Sequence, residues 1–269
     1  MTESGISVLL AVQYDGTEFC GSQIQPGVRT VQGTLTDTIA EVLGERPKLL
    51  FASRTDAGVH AMRNIASLKL DRLPFAPEKL ADVLNAKLPR DIAVLETREV
   101  PRGFHPRFLA DRRDYAYRIY RGARPDVRYA RFSTRFAGEL DLPAMSLAAQ
   151  IFLGMHDFSE FCIRGEMRNP LCDVMTCGLA QHGKMLTIRV SANRFLRRMV
   201  CFMVGTMIDV GTGRINISHI ADALRPGSHP NFTNMSGQGL TLERVHYPEN
   251  AFFENYGNSV SDDIGDDDE

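Results

Sequence analysis

Strand-like and helix-like segments follow one another in a similar order in the two halves of the chain. In the first half, a β-rich segment at residues 6–14 precedes a helix pattern at residues 31–43, which Thr30 is suited to cap. In the second half, residues 113–122 alternate as a strand, and residues 142–154 have the apolar spacing of a helix. This order predicts an α+β fold. Two similar α+β halves would form a mixed, mainly antiparallel sheet with helices on one side and a cleft between the halves.

Charge is unevenly distributed along the 269 residues. Residues 249–269 contain eight acidic and no basic side chains, so the rest of the chain has a net charge of +6. We therefore expect three parts: an N-terminal half (1–104), a C-terminal half (105–248) and an acidic tail (249–269) that is too poor in apolar residues to fold.

A basic and aromatic segment extends from residue 98 to residue 135. It contains eleven arginines and only four acidic residues, interleaved with phenylalanines and tyrosines. Arginines beside aromatic rings suit a surface that binds phosphates and stacks unpaired bases, so the segment favours binding of nucleic acid. A solvated protein face is the other interpretation of such a charge run.

The sequence contains no motif for a cofactor or a metal ion. It lacks the glycine-rich phosphate loops of nucleotide-binding proteins, and its five cysteines form no CxxC pair. No apolar stretch approaches the roughly 20 residues that cross a membrane, and the N-terminus lacks the basic region of a signal peptide. We therefore expect a cytoplasmic protein with reduced thiols, no cofactor, no metal and no membrane association.

One turn concentrates reactive side chains directly after an apolar run. In FASRTDAGVHA (residues 51–61), Arg54 and Asp56 are two positions apart, so an extended backbone places both on the same side. The guanidinium would keep the carboxylate ionised, and an ionised aspartate is suited to attack at a sugar carbon. The alternative is a strand-end turn in which Asp56 accepts backbone hydrogen bonds and Arg54 lies in solvent.

The segment RTDAGVHA (residues 54–61) resembles the catalytic motif of the TruA family of tRNA pseudouridine synthases. Other segments between residues 7 and 248 resemble the same family in the same order. They are YDGTEFCGSQIQPGVRTVQGTL, LPRDIAV, FHPRF, RRDYAYRIY, FLGMHDFSEF, ANRFLRRMV and GLTLERVHYPE.

The resemblance implies two α+β halves that form a mixed sheet around a basic cleft, usually in a homodimer. It also implies isomerisation of uridine to pseudouridine in the tRNA anticodon stem-loop, at positions 38–40. It implies that Asp56 is the catalytic nucleophile, that Arg54 helps to turn the target nucleotide out of the helix, and that Tyr117 packs against the uracil. No atoms are gained or lost in the isomerisation, so no cofactor is needed. We expect further RNA contacts from ten residues: His60, Arg63, His105, Arg107, Arg112, Arg113, Tyr115, Arg194, Arg197 and Arg198.

Two of the residues that differ from the pattern of the family bear on the catalytic site. Ser22 stands where the family usually has tryptophan, and Cys201 stands where it places a basic residue that pairs with the catalytic aspartate. Arg197 or Arg198, on the adjoining face of a predicted helix, or Arg194, could replace that charge. Otherwise the protein would be a catalytically impaired RNA-binding relative, such as a tRNA chaperone, or a synthase with a shifted RNA or nucleotide substrate.

Overall fold

The computed structural model describes residues 5–163, 169–225 and 231–252. Their contacts divide them into two compact units. The first unit consists of the residues up to Ala57, Ala61–Asp111 and the residues from Arg244 onward. The second unit consists of Gly58–His60 and Arg112–Glu243. The sequence placed the division after residue 104, whereas the structure changes unit after Asp111 and returns to the first unit near the end of the chain.

A group of three strands with a short fourth forms the sheet of the first unit. These are β1 (Ile6–Tyr14), β2 (Leu50–Phe51), β3 (His60–Leu70) and β4 (Ile92–Glu99). β1 pairs antiparallel with both β3 and β4, and β2 pairs with β3. β1 is buried along almost its whole length, which agrees with the unbroken apolar run at residues 8–12.

Two α-helices belong to the first unit, α1 (Val31–Leu43) and α2 (Leu80–Asn85). The Thr30 hydroxyl accepts a hydrogen bond from the Gly33 N–H at 3.1 Å, which confirms the predicted cap. α1 ends at Gly44, whose φ of 76° favours glycine. Leu35 and Ile39 are fully buried, so α1 contributes one apolar face to the core.

Five complete strands and three α-helices are found among the described residues of the second unit. The strands are β5 (Arg112–Tyr120), β6 (Thr134–Arg135), β7 (Gly154–Asp157), β8 (Leu171–His182) and β9 (Met185–Ala192). The helices are α3 (Leu142–Ile151), α4 (Met199–Gly211) and α5 (Ser218–Ala223). β5, β9, β8 and β7 pair successively as antiparallel neighbours, whereas β6 is parallel to β5. α3 packs against α4 and β8.

A last strand, β10 (Leu240–His246), begins in the second unit and continues in the first from Arg244. The predicted α+β class with a mixed, mainly antiparallel sheet is therefore confirmed. No helix among the residues described here is long and apolar enough to cross a membrane.

The predicted acidic tail begins with a short folded segment. Glu249–Phe252 form a 3-10 turn in which Ala251 is buried. The Phe252 ring stacks on Phe104, with ring centroids 5.4 Å apart. This aromatic contact corrects the expectation of disorder for the first four residues of the tail. Residues 253–269 lie outside the described part of the chain.

The buried carboxylate of Asp209 fastens residues 231–239, the connecting segment, to α4. Arg214 donates to it from Nε at 2.7 Å and from Nη2. Thr233 donates from its N–H at 3.0 Å and from its hydroxyl at 2.8 Å. Hydrogen bonds from a guanidinium and a hydroxyl satisfy a carboxylate that would otherwise be costly to bury. The connecting segment is thereby held at a fixed position on α4.

Candidate active site

The turn that carries Asp56 is held in place through Thr55, the residue before it. Thr55 is buried, whereas Asp56 is half-buried and Arg54 is exposed. The Thr55 hydroxyl hydrogen-bonds with the hydroxyl of Tyr14 at 2.8 Å. The Asn64 side-chain amide donates to the same Tyr14 oxygen at 3.2 Å. The buried Thr55 side chain therefore fixes the backbone of the turn, from which the side chains of Arg54 and Asp56 project.

Ser22 holds the backbone of the same turn, a contact that the sequence did not reveal. Its hydroxyl accepts a hydrogen bond from the Thr55 N–H at 2.8 Å, and its N–H donates to the Thr55 carbonyl at 2.9 Å. Gly21 permits this approach, since a Cβ there would lie 2.8 Å from the Thr55 carbonyl oxygen. Ser22, which differs from the residue expected in the family, is thus a buried support of the Asp56 turn.

We expect Ser22→Ala to lower kcat more than it changes KM. The alanine leaves the buried Thr55 N–H without its acceptor, which costs about 1–3 kcal/mol and loosens the turn that carries Asp56. Urea denaturation and steady-state kinetics of pseudouridine formation measure the two effects. The exposed Ser146 on α3 provides the matched control, Ser146→Ala. Equal free energies of unfolding and equal kcat values for the two variants would contradict a supporting role for Ser22.

The buried hydroxyl of Tyr14 is expected to make the free energy of unfolding fall in alkaline solution. Burial raises the pKa of its hydroxyl to about 12, from about 10 in an unfolded chain. Below pH 10 the hydroxyl is neutral in both states, but between pH 10 and 12 only the unfolded state loses the proton. The free energy of unfolding should therefore fall by about 1.4 kcal/mol per pH unit in that window. Urea unfolding at several pH values should show a shallower fall for Tyr14→Phe, and an unchanged slope would exclude Tyr14 as a cause.

Tyr117 on β5 is fully buried in the second unit. Its hydroxyl donates to the Ser236 carbonyl at 2.7 Å and hydrogen-bonds with the Thr134 hydroxyl at 2.8 Å. Burial raises the pKa of Tyr117 well above its ordinary value, so the hydroxyl stays neutral. Gly239 leaves room for the ring, since a Cβ there would lie 2.6 Å from it. Tyr117 thus anchors the connecting segment, and the predicted packing of its ring against uracil remains a prediction.

Arg198 and Cys201 both contact the connecting segment next to Tyr117. Arg198 donates to the Asn234 side-chain oxygen at 3.0 Å and to the Met235 carbonyl at 2.5 Å. The buried Cys201 accepts a hydrogen bond at its carbonyl from the Met235 N–H at 3.3 Å. Burial raises the pKa of Tyr117, and the charge of Arg198 lowers it by a smaller amount.

The expected helix around Cys201 begins later than the apolar pattern indicated. α4 starts at Met199, because Arg198 has a left-handed backbone with a φ of 66° that a helix interior does not allow. Arg197 and Arg198 are therefore not on a helix face beside Cys201, which corrects the sequence-based placement. Arg198 lies near Cys201 for a different reason, namely that both are bound to Met235.

Three of the expected RNA-binding residues are buried. His60 is 1% exposed, and Arg113 and Tyr115 are each 7% exposed. Arg113 donates to the Asn193 carbonyl at 2.6 Å, and Tyr115 packs edge-on against Phe195. These contacts assign them a structural role in the second unit, and direct contact with RNA remains a prediction.

Two further residues of that set form ion pairs within their own unit. Arg63 pairs with Glu96, and Arg112 pairs with Asp114 at 3.1 Å. All four side chains are partly exposed. Because exposed ion pairs contribute little stability, a phosphate could replace either carboxylate at small cost.

The remaining expected RNA-binding residues are at least partly accessible. His105 and Arg107 are half-buried, and the His105 Nδ1 accepts a hydrogen bond from the Arg107 N–H at 3.2 Å. Arg194 is half-buried, whereas Arg197 is exposed. Each unit thus carries its own group of candidate residues, namely the Asp56 turn in the first unit and the cluster of Tyr117, Arg198 and Cys201 in the second.

Comparison with known proteins assigns the class of enzyme. A family model described as tRNA pseudouridine synthase matches residues 10–108 and 148–248, which include the Asp56 turn and Cys201. The tRNA pseudouridine synthase A of Citrifermentans bemidjiense is 38% identical over 250 residues, covering 90% of this chain and 98% of that protein. The enzyme of the same name from Geobacter sulfurreducens is 38% identical over 246 residues, covering 90% and 99%. That of Roseiflexus castenholzii is 37% identical over 263 residues, covering 95% and 94%.

These matches place the chain among the pseudouridine synthases, which are isomerases. More specifically, the chain belongs to the TruA family of tRNA pseudouridine synthases. The resemblance of RTDAGVHA and its accompanying segments to that family is therefore confirmed, as is the expected enzyme class.

Proposed function

We propose that this protein converts uridine to pseudouridine at positions 38–40 of the tRNA anticodon stem-loop, with Asp56 as the nucleophile. The observation that carries the proposal is the rigidly held turn in which Ser22, Tyr14 and Asn64 fix Thr55 beside the half-buried Asp56. This turn lies within the segment that matches the family model. A nucleophile needs such a fixed position to attack one carbon of a bound nucleotide.

The proposed reaction requires only the carboxylate and the substrate. An oxygen of Asp56 attacks C1′ of the ribose as the bond from C1′ to N1 breaks, and the electron pair of that bond goes to the uracil. After the uracil has turned, its C5 attacks C1′ and expels the carboxylate. C5 then loses its proton and N1 gains one, so the base is recovered as an isomer and the enzyme is unchanged.

Arg54 is proposed to enter the space that the target nucleotide leaves. Its exposure on the turn, next to Thr55 and Asp56, suits contact with a nucleotide that has been displaced from its stack. The flipping cost of a few kcal/mol is smallest in a loop or at the end of a stem, which favours an anticodon-arm substrate. Action as a cytoplasmic homodimer belongs to the same proposal.

Arg198 is proposed to provide the positive charge that Cys201 does not supply. Its guanidinium is held by Asn234 and Met235, in the segment whose Ser236 carbonyl accepts the hydrogen bond from the Tyr117 hydroxyl. A left-handed backbone at a non-glycine residue costs about 1–3 kcal/mol and is a feature that functional sites retain. The buried Cys201 favours the competing function, in which the protein binds tRNA without modifying it.

Turnover and binding measured on the same tRNA decide between these functions. The purified protein is incubated with unmodified tRNA that carries uridine at positions 38, 39 and 40, and pseudouridine is mapped by position. The control is the same tRNA with cytidine at those three positions. Pseudouridine at 38–40 supports the proposal. Binding without turnover would identify an RNA-binding relative, and equal turnover of an RNA lacking the anticodon arm, or of free nucleotide, would identify a shifted substrate.

A further inference from the structure

The β5–β6 loop (residues 121–133) exposes large apolar side chains among arginines. Val127 is 88% exposed, Tyr129 40% and Phe132 44%. The loop has four arginines and one acidic residue, Asp126, which pairs with Arg128. Exposed apolar patches on a folded protein mark interaction sites, and the excess of arginine favours a polyanionic partner.

Hydrogen bonds and ring contacts hold this loop in a defined conformation. The Tyr129 ring stacks on Tyr120, with centroids 5.1 Å apart. The Ser133 hydroxyl donates to the Tyr129 carbonyl at 2.7 Å, and the Phe132 N–H donates to the same carbonyl at 3.2 Å. The Gln238 side chain donates to the Ala130 carbonyl. Because the loop is already ordered, little conformational entropy is lost when a partner binds to it.

Phe132 has a firm support behind its ring. The ring lies 4.7 Å from that of His60, which is buried and whose Nε2 is 3.0 Å from the Gln238 carbonyl oxygen. Gln238 thus contacts both His60 and the loop. His60, which supports the Phe132 ring, follows Asp56 by four residues in the sequence.

We propose that Phe132 is a stacking platform for an unpaired RNA base, with arginines of the β5–β6 loop binding the adjacent phosphates. This proposal rests on the proposed function and adds to it a base contact that is separate from the target uridine. An aromatic ring backed by protein and nearly half exposed can stack on any base, and Arg124 and Arg131 are exposed in the same loop. Neighbouring arginines bind the phosphates that a single strand brings close to such a ring.

The absence of tryptophan from the sequence allows a direct test. In Phe132→Trp the introduced indole is the only one in the protein, so its emission reports on the loop alone. We expect unmodified tRNA to quench this emission upon binding. The matched control is Leu147→Trp on α3, where the native side chain is 63% exposed, and its emission should not change. Circular dichroism and labelled-tRNA anisotropy verify that both variants fold and bind.

The outcomes separate this inference from the proposed function. If Phe132→Trp binds tRNA and forms pseudouridine but its emission does not change, the platform is refuted and the enzymatic function stands. If the unsubstituted protein neither binds nor modifies tRNA, both proposals fail. Phe132→Ala gives a second measurement: stacking on an aromatic ring predicts roughly 5- to 100-fold weaker tRNA binding, with Phe132→Tyr close to the unsubstituted protein. Equal affinity of Phe132→Ala and the unsubstituted protein would also overturn the platform.

Discussion

Asp56→Asn is expected to abolish pseudouridine formation while tRNA binding is retained. Asparagine has nearly the same shape as aspartate, but its neutral amide is a poor nucleophile and cannot form the bond to C1′. Loss of a nucleophile lowers kcat by a factor on the order of 10³ or more. Binding should be unchanged or slightly tighter, since the substitution removes one negative charge from a surface that approaches phosphates.

A matched substitution distinguishes this effect from a general loss of charge. Asp37→Asn removes a carboxylate that is 65% exposed and paired with Arg46 in the same unit, and it should leave turnover unchanged. The two variants and the unsubstituted protein are compared by single-turnover mapping of pseudouridine and by tRNA anisotropy at one salt concentration. If Asp56→Asn forms pseudouridine at the rate of Asp37→Asn, Asp56 is a structural turn residue, and another group performs the chemistry.

Local sequence patterns predicted the parts of the fold that depend on neighbouring residues. The cap at Thr30 involves residues within one turn of the helix, so it could be inferred from the chain alone. The Asp56 turn also stood out, because a guanidinium and a carboxylate follow an apolar run directly.

Contacts between distant parts of the chain account for what the sequence did not predict. Ser22 supports Thr55 across 33 residues, and no local pattern at either position indicates the pairing. The start of α4 depends on Arg198, whose side chain is bound by Asn234 36 positions later. Apolar periodicity continues through Arg198 in the sequence, so periodicity alone extends the helix too far. Such contacts are determined by tertiary packing, which overrides local preference.

The connecting segment (residues 231–239) packs so closely against α4 that one methyl group added at Gly205 would displace it. Its Thr233 carbonyl lies so close to Gly205 on α4 that a Cβ at that position would overlap the oxygen. The same segment binds the Tyr117 hydroxyl through Ser236 and the Arg198 guanidinium through Asn234. A displacement of the segment at residue 233 would therefore disturb the cluster around Tyr117 as well as the packing of α4.

Gly205→Ala is expected to destabilise the protein by about 3 kcal/mol or more and to lower kcat. Alanine favours a helix interior by about 1 kcal/mol over glycine, but this gain is smaller than the cost of moving a backbone carbonyl that Asp209 holds in place. For a chain of this size the loss corresponds to a decrease in Tm of roughly 6–12 °C, measured by calorimetry. The control is Gly178→Ala on β8, where nothing lies within 4 Å of the added methyl group. A Tm for Gly205→Ala equal to that of the control would show that the connecting segment moves away from α4 without cost, and that Thr233 is not fixed there.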